Sequence, residues 1–321
     1  MTDLSHDALC LVGLCATDGV GPATVARLRA AARVDGVPLA RVLELPLQRL
    51  ESEIGLTAAT AATVASLPDA AAAGRGALEW AAGAGYRVCI ATAADYPTRL
   101  GACLGESAPA VLFVAGDLSL LGGPCVAVVG SRRPSPTAAE AARGLARRQA
   151  AAGFTVVSGA ARGIDRIAHA AAVQAGGTAL VPAVGVARFR WPAPGQARGQ
   201  PGGWCVVGQF PPNAPWRAAQ ALMRNRTVAA LSDAVVAFEP RDCGGTWHTS
   251  NTALALGRPL FVVSGSRHDA KGRGLSRLVR LGAIALDPGR MPDAEELAQL
   301  TAQYRPPRSA AQLGLFDGQE P

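Results

Sequence analysis

Residues 125–136, CVAVVGSRRPSP, and 153–177, GFTVVSGAARGIDRIAHAAAVQAGG, decide the fold. Twice an apolar, β-type run stops at a glycine-bearing polar turn. Val126-Ala127-Val128-Val129 ends at Gly130-Ser131-Arg132-Arg133, and Phe154-Thr155-Val156-Val157 ends at Ser158-Gly159-Ala160-Ala161-Arg162-Gly163. Each turn opens a helix-like segment. A strand, a Gly/Ser turn and a helix N-terminus together can present backbone N–H groups to an anion, and the helix dipole favours negative charge there. Two such turns, each with arginine, predict one phosphate-binding rim at the carboxyl ends of parallel strands. Neither is a Walker A loop, because no G-x-x-x-x-G-K-[ST] is present. Neither is a dinucleotide fingerprint, because no G-x-G-x-x-G follows the first strand.

Outward from this stretch the alternation continues. Strand candidates fall at 125–129, 154–157, 178–184, 204–207, 234–238, 259–263 and 283–286, and helical segments at 137–152, 164–175, 216–231, 247–256 and 275–281. Short apolar strands separated by helices predict a parallel sheet covered on both faces. Right-handed crossovers make it an α/β fold with a Rossmann-like, doubly wound, mostly parallel sheet. Upstream, 86–90 and 111–114 read as two further strands. Residues 1–85 read as a small helical N-terminal domain, 86–290 as the Rossmann-like domain, and 291–321 as a short helix with a disordered tail. The turn Asp18-Gly19-Val20-Gly21-Pro22 and its weaker copy at Ile54-Gly55-Leu56-Thr57 suit a helix-hairpin-helix, SAM-like domain, or a bundle that turns corners with glycine. The segment 190–203 is a Pro/Gly-rich loop, and Gln312-Leu313-Gly314-Leu315-Phe316 in the tail is a short apolar peptide.

Composition narrows the partners. The chain of 321 residues carries a formal charge of +7, Lys271 being its sole lysine. Net basicity favours an anionic polymer, and arginine binds phosphate bidentately and stacks on bases. No apolar run approaches the ~20 residues of a membrane span, and the N-terminus lacks a secretory pattern, so a cytoplasmic protein is expected. The seven cysteines form no C-x-x-C and read as buried free thiols. No metal or cofactor is expected.

The residues quoted above resemble the DNA-processing protein A family, also called Smf. The resemblance rests on VAVVGSR at 126–132, on S-G-x-A-x-G-I-D-x-x-A-H from Ser158 to His169, and on Arg224-Asn225-Arg226. Further matches are Asp95-Tyr96-Pro97, Gly245-Thr246 with Thr249, and Gly257-Arg258-Pro259. The resemblance implies a homodimer that binds single-stranded DNA, protects incoming DNA in natural transformation, and helps to load the RecA recombinase. It implies a binding protein, not an enzyme. The family's DNA-contacting elements match Ser131 and Arg132, the turn from Ser158 to Gly163, and Arg224 to Arg226. The chain departs from the family pattern at Gly208-Gln209-Phe210-Pro211, at Trp191-Pro192 and in the turn Gly244–Ser250, and no C-terminal winged helix is expected.

The expected DNA- and phosphate-binding set is therefore Gly130, Ser131, Arg132, Arg133, Ser158, Gly159, Arg162, Gly163, Arg224, Asn225, Arg226, Gly245, Thr246 and Trp247. Arg224 and Arg226 lie about 200° apart on a helix, so one is expected on phosphate and the other beside an acid. Trp247 follows a Gly-Gly-Thr turn and is the candidate base-stacking platform; Trp191 is a second. Asp165 and His169, at i and i+4, read as a helix-start acid and a packed histidine rather than an acid–base pair. The competing function is a nucleotide-binding or nucleotide-cleaving protein, either a sensor or a phosphoribohydrolase-like enzyme. For that reading Glu239, at a strand end before Gly244-Gly245-Thr246, is the acid to watch, although no carboxylate follows that turn before Asn251.

Overall fold

The computed structural model describes residues 4–67, 69–190, 203–265 and 273–305. Trp191, His268, Lys271, most of the 190–203 loop and the Gln312–Phe316 peptide lie outside the described residues.

Helices come first: α1 (His6–Ala16), α2 (Pro22–Val34), α3 (Leu39–Leu43), α4 (Leu47–Ser52), α5 (Ala58–Ala65) and α6 (Ala70–Gly83). Side-chain caps start α1 at Ser5, α5 at Thr57 and α6 at Asp69, each accepting an otherwise orphaned amide. Helices α1 and α6 cross at backbone contact. A Cβ on Gly13 would strike the Ala70 carbonyl, and one on Gly74 the Leu9 carbonyl. The turn after α1 carries Gly19 at φ +91°, with the Thr63 side chain 3.6–3.7 Å from where its Cβ would stand. Arg27 on α2 donates to the Gly55 carbonyl. The two glycine turns are thus corners of one bundle. Its core runs into the sheet, because Leu14, Leu28 and Val64 belong to the same buried cluster as Ile90, Phe113 and Val206.

The chain continues as β1 (Arg87–Ile90), α7 (Thr98–Leu104), β2 (Val111–Gly116), β3 (Cys125–Gly130), α8 (Pro136–Ala151), β4 (Thr155–Ser158) and α9 (Ile164–Ala172). It ends with β5 (Gly177–Leu180), β6 (Trp204–Gly208), α10 (Ala218–Ala230), β7 (Ala234–Phe238), α11 (Gly244–Ala255), β8 (Leu260–Val263), α12 (Arg273–Arg280), β9 (Ile284–Leu286) and α13 (Ala294–Gln303). Among the described residues the sheet order is β1-β2-β6-β5-β4-β3-β7-β8-β9. From β6 to β9 every pairing is parallel. Strands β1 and β2 join as an antiparallel edge, an orientation that their apolar runs alone do not reveal. The central strands are buried except for Gly130 at the end of β3, as runs of Val and Ala covered by helices on both faces must be.

The strand order fixes where a ligand can sit. From β3 the chain winds outward through β4, β5 and β6, then returns to the other side of β3 as β7. The connections leave β3 and β7 in opposite directions, and a crevice opens between their carboxyl ends.

Candidate nucleic-acid interface

A cleft of about 410 Å³ lies at this switch point. Gly130 to Arg133 after β3, Gly159 and Ala161 after β4, and Glu239 and Arg241 after β7 line it, with Arg224 and Asn225 of α10 and Cys243 to Thr246 at the start of α11. Two non-glycine residues at its edge take left-handed backbone, Ala160 at φ 55° and Glu239 at φ 50°. Such strain gathers where a fold holds a rim in a fixed shape.

The first and second turns are stitched together. The Ile164 amide donates to the Ser131 carbonyl at 3.1 Å. Gly163, at φ 83° and ψ −128°, lies so close that a Cβ there would meet the Ser131 carbonyl and come within 2.7–2.8 Å of the Arg132 backbone. Most amides of these turns are already taken. Ser131 N donates to Phe238 O at 3.1 Å, and Arg133 N to Ser131 Oγ at 3.1 Å. In the second turn Gly159 N and Ala161 N both donate to Asp165 Oδ2, at 3.1 and 3.2 Å. The expectation of two amide-rich anion cradles is corrected here. The second cradle holds the protein's own carboxylate, because Asp165 stands in the first turn of the helix that the loop opens. Glu239 is likewise engaged, accepting from Ser135 N at 3.1 and 3.3 Å.

The open amides lie elsewhere. Helix α11 starts at Gly244, not after the Gly-Gly-Thr turn, and its N-cap residue Cys243 makes no side-chain cap. Its first amides therefore face the cleft without an intrahelical partner. Around them stand the exposed Arg132, Arg133 and Arg241, which no ion pair engages among the described residues. Arg241 escaped the sequence reading. Its signal was its place just beyond a strand's carboxyl end, the same place that singles out Arg132.

The Arg224-Asn225-Arg226 triplet divides as the helical geometry requires. Arg224 is buried. Its Nη1 donates to the Gly159 carbonyl and, at 2.6 Å, to Val181 O, and its Nε donates to Asn225 Oδ1 at 3.2 Å. Asn225 Nδ2 continues to Gly245 O at 3.3 Å. Together they brace the second turn against the start of α11. Only Nη2 of Arg224 makes no hydrogen bond among the described residues. A bare glycine makes the brace possible, since a Cβ on Gly159 would run into the guanidinium. Arg226 lies outside the cleft and lines a separate hollow against Arg29 of α2.

Four other expected site residues also lie off the cleft lining, Gly163 at the junction of the two turns among them. Ser158 is buried and donates to Val128 O at 2.6 Å. Arg162 is exposed beside the rim. Trp247 is packed against the main core cluster, with the Arg277 guanidinium 4.8 Å over its ring. That cation–π contact covers a face that base stacking would need. Among the cysteines, Cys10, Cys89, Cys125 and Cys205 are buried as expected, but Cys243 is exposed at the cleft edge.

Charge burial sets the pH response of this region. Burial raises the Asp165 carboxyl pKa, while the nearby Arg224 charge pulls it down. Burial, with Arg224 assisting, pushes His169 down to about 3, and its Nδ1 pairs with Thr178 Oγ1 at 2.7 Å. His169 thus stays neutral in the fold. A depressed histidine contributes stability above its unfolded value near 6.5 and loses it as pH falls toward the folded value. Acidification from pH 7 to 5 is expected to remove about 2 kcal/mol through this group. Urea titrations of the parent and of a His169→Phe variant at both pH values check it: an equal acid loss in the two proteins contradicts the assignment.

A family-wide sequence model described as DNA recombination-mediator protein A matches residues 87–293. The chain belongs to this family. Membership covers the whole sheet and the cleft. The chain is 31% identical over 206 residues to DNA processing protein DprA of Bacillus subtilis, which is 62% of this chain and 68% of that one. It is 33% identical over 192 residues to Protein Smf of Escherichia coli, or 59% of this chain and 51% of that one. An X-ray structure of DNA processing protein A from Streptococcus pneumoniae superposes with TM-score 0.69 at 23% identity, covering 94% of this chain and 99% of that one. DNA processing protein A from Helicobacter pylori, whose structure concerns its single-stranded DNA binding mode, gives 0.55 at 24% identity over 68% and 97%. Both structures share the recombination-mediator fold described above. No described helix is long and apolar enough to cross a membrane.

Proposed function

We propose that this recombination-mediator family member binds single-stranded DNA without regard to sequence, in the switch-point cleft. One observation carries the reading: Arg132, Arg133 and Arg241 surround the uncapped start of α11 with no acid paired to them. Guanidinium groups and orphan amides together match phosphate. The volume is that of a small-ligand site, so it admits single phosphates and sugars of an extended strand rather than a duplex. Phosphate contacts position a strand but carry no sequence information.

Binding should prefer single-stranded oligonucleotides and weaken steeply with salt, each neutralised phosphate adding roughly 0.7 to the slope. Arg132→Ala should cost about 1–3 kcal/mol of affinity, the range for a charge-assisted hydrogen bond, with an unchanged melting temperature. Gel shifts over a salt series decide the matter. Equal affinity for duplex DNA, or an Arg132→Ala protein that binds as the parent does, sinks the reading.

Family membership supports, as the finer role, a cytoplasmic homodimer that shields incoming DNA and hands it to the RecA recombinase. Light scattering, and RecA filament assembly on DNA coated by a single-strand-binding protein, test its two halves. A monomer with no effect on filament growth counts against both. The nucleotide-cleaving alternative receives less support, because the Glu239 carboxylate is occupied by the Ser135 amide.

A further inference from the structure

A second basic feature lies away from the switch-point cleft. Helices α8 and α9 pack side by side on one face of the sheet, and a groove of about 270 Å³ runs between them. Arg143 and Arg147 of α8 and Arg166 of α9 edge it, Gln174 closes its far end, and Ile167 and Ala170 form part of an apolar floor. Arg143 and Arg147 share a helix face as an i, i+4 pair. Arg143 pairs with Glu140, which does not line the groove. Arg147 and Arg166 are exposed and enter no ion pair among the described residues. No carboxylate is among the groove's lining residues. Arg147 and Arg166 bring unpaired like charge to one depression, and an anion there relieves their repulsion.

The groove and the cleft share no lining residue, but α9, which edges the groove, starts directly after the second turn. Arg166 is in the first turn of α9, and Arg162 is exposed on the second turn just before that helix. The backbone of that turn touches the Arg132 backbone at Gly163. The arginines thus run from the rim (Arg132, Arg133) through Arg162 and Arg166 to Arg143 and Arg147. From Ile164 to Ala172 the helix descends about 12 Å at 1.5 Å per residue, enough for two or three consecutive phosphates.

We propose that the α8–α9 groove is a second binding segment, along which the sugar–phosphate backbone of the same DNA strand continues after it leaves the cleft. This rests on the proposed function of the cleft. The mixed lining suits a phosphodiester chain, with guanidiniums for phosphates and Ile167 and Ala170 for the sugars. A second copy of this chain is a poor occupant, because a two-fold contact here would set these arginines against their own copies with no carboxylate between them.

The test is fluorescence anisotropy with labelled oligo-dT of two lengths, about 5 and about 20 nucleotides, bracketing the usual range of single-strand site sizes. The variants are R143Q/R147Q/R166Q, R143K/R147K/R166K and Arg132→Ala. The glutamine triple should bind the short oligonucleotide within about twofold of the parent and the long one about tenfold or more weaker, its salt slope smaller by roughly 2. The lysine triple should keep most of the affinity and slope, which excludes misfolding as the cause. Arg132→Ala should weaken both lengths. A glutamine triple that binds the long oligonucleotide as the parent does, while Arg132→Ala does not, overturns the track and leaves the cleft intact. Equal loss on both lengths also overturns it, as does a change of oligomeric state with long-oligonucleotide binding preserved. If Arg132→Ala binds normally, the cleft reading itself fails and the track with it.

Discussion

Replacing Arg224 with methionine is expected to destabilise the fold by about 3–5 kcal/mol, the range for leaving a buried charge uncompensated. The melting temperature should fall by roughly 10 °C, at a few degrees per kcal/mol for a chain of this size. Methionine fills much of the volume, so the loss is electrostatic and hydrogen-bonded rather than a cavity. The carbonyls of Gly159 and Val181 lose their donor, and the buried Asp165 loses the positive charge that favours its ionised form. The sign of the pH dependence follows. Without Arg224 the Asp165 pKa rises further above its unfolded value. A carboxyl raised in the fold is least costly below its unfolded pKa and grows costlier as pH rises toward the folded one. Arg224 also lowers the His169 pKa, so the variant loses less through that histidine on acidification. Both effects make the deficit relative to the parent smaller at pH 5 than at pH 7. Asp165→Asn in the same chain should restore part of the stability, because no unpaired buried charge remains. Denaturant titrations of the two single variants and the double, at both pH values, form the check. A deficit below about 1 kcal/mol, or one that grows on acidification, removes Arg224 from the role of brace.

The fold was legible because its signal is local. Each central strand is an apolar run bounded by Gly, Pro or Asp, and every strand candidate from 125 onward met a strand in the structure. The direction of β1 and β2 was not legible, since strand direction depends on partners distant in sequence. At the site, sequence placed the rim after β3 and the Gly245-Thr246 contribution, but it assigned open amides to the second turn. Nothing in the spacing separates a carboxylate that stabilises a helix start from one that also fills the preceding turn; Asp165 does both. Trp247 was misread for a similar reason. Its covering cation, Arg277, comes from a helix thirty residues further along the chain. Arg241 was within reach of the strand-end rule and was passed over because no motif surrounds it.

The largest effect on DNA binding is expected from Gly163→Ala, a change that touches no charge. Gly163 sits at φ 83° and ψ −128°, backbone that an L-residue enters at a cost of about 1–3 kcal/mol. Its added methyl would also meet the Ser131 carbonyl and the Arg132 backbone, main-chain atoms that cannot rotate away. The two turns must part, and the Ile164–Ser131 hydrogen bond at 3.1 Å goes with them. Strain and clash together should cost about 3 kcal/mol or more of stability. The surviving folded molecules present Arg132 displaced from Arg241 and the α11 amides, so affinity for single-stranded DNA should fall further than in Arg132→Ala, which loses one side chain from an intact rim. Gly257→Ala separates strain from clash. Gly257 has φ +66°, but nothing lies within 4 Å of its added Cβ, so about 1 kcal/mol of stability is the expected loss and DNA binding should not change. Calorimetric unfolding and anisotropy on the same preparations, at a temperature where both variants are folded, decide between the accounts. A Gly163→Ala protein that binds as tightly as the parent would show that the junction of the two turns does not position the cleft arginines.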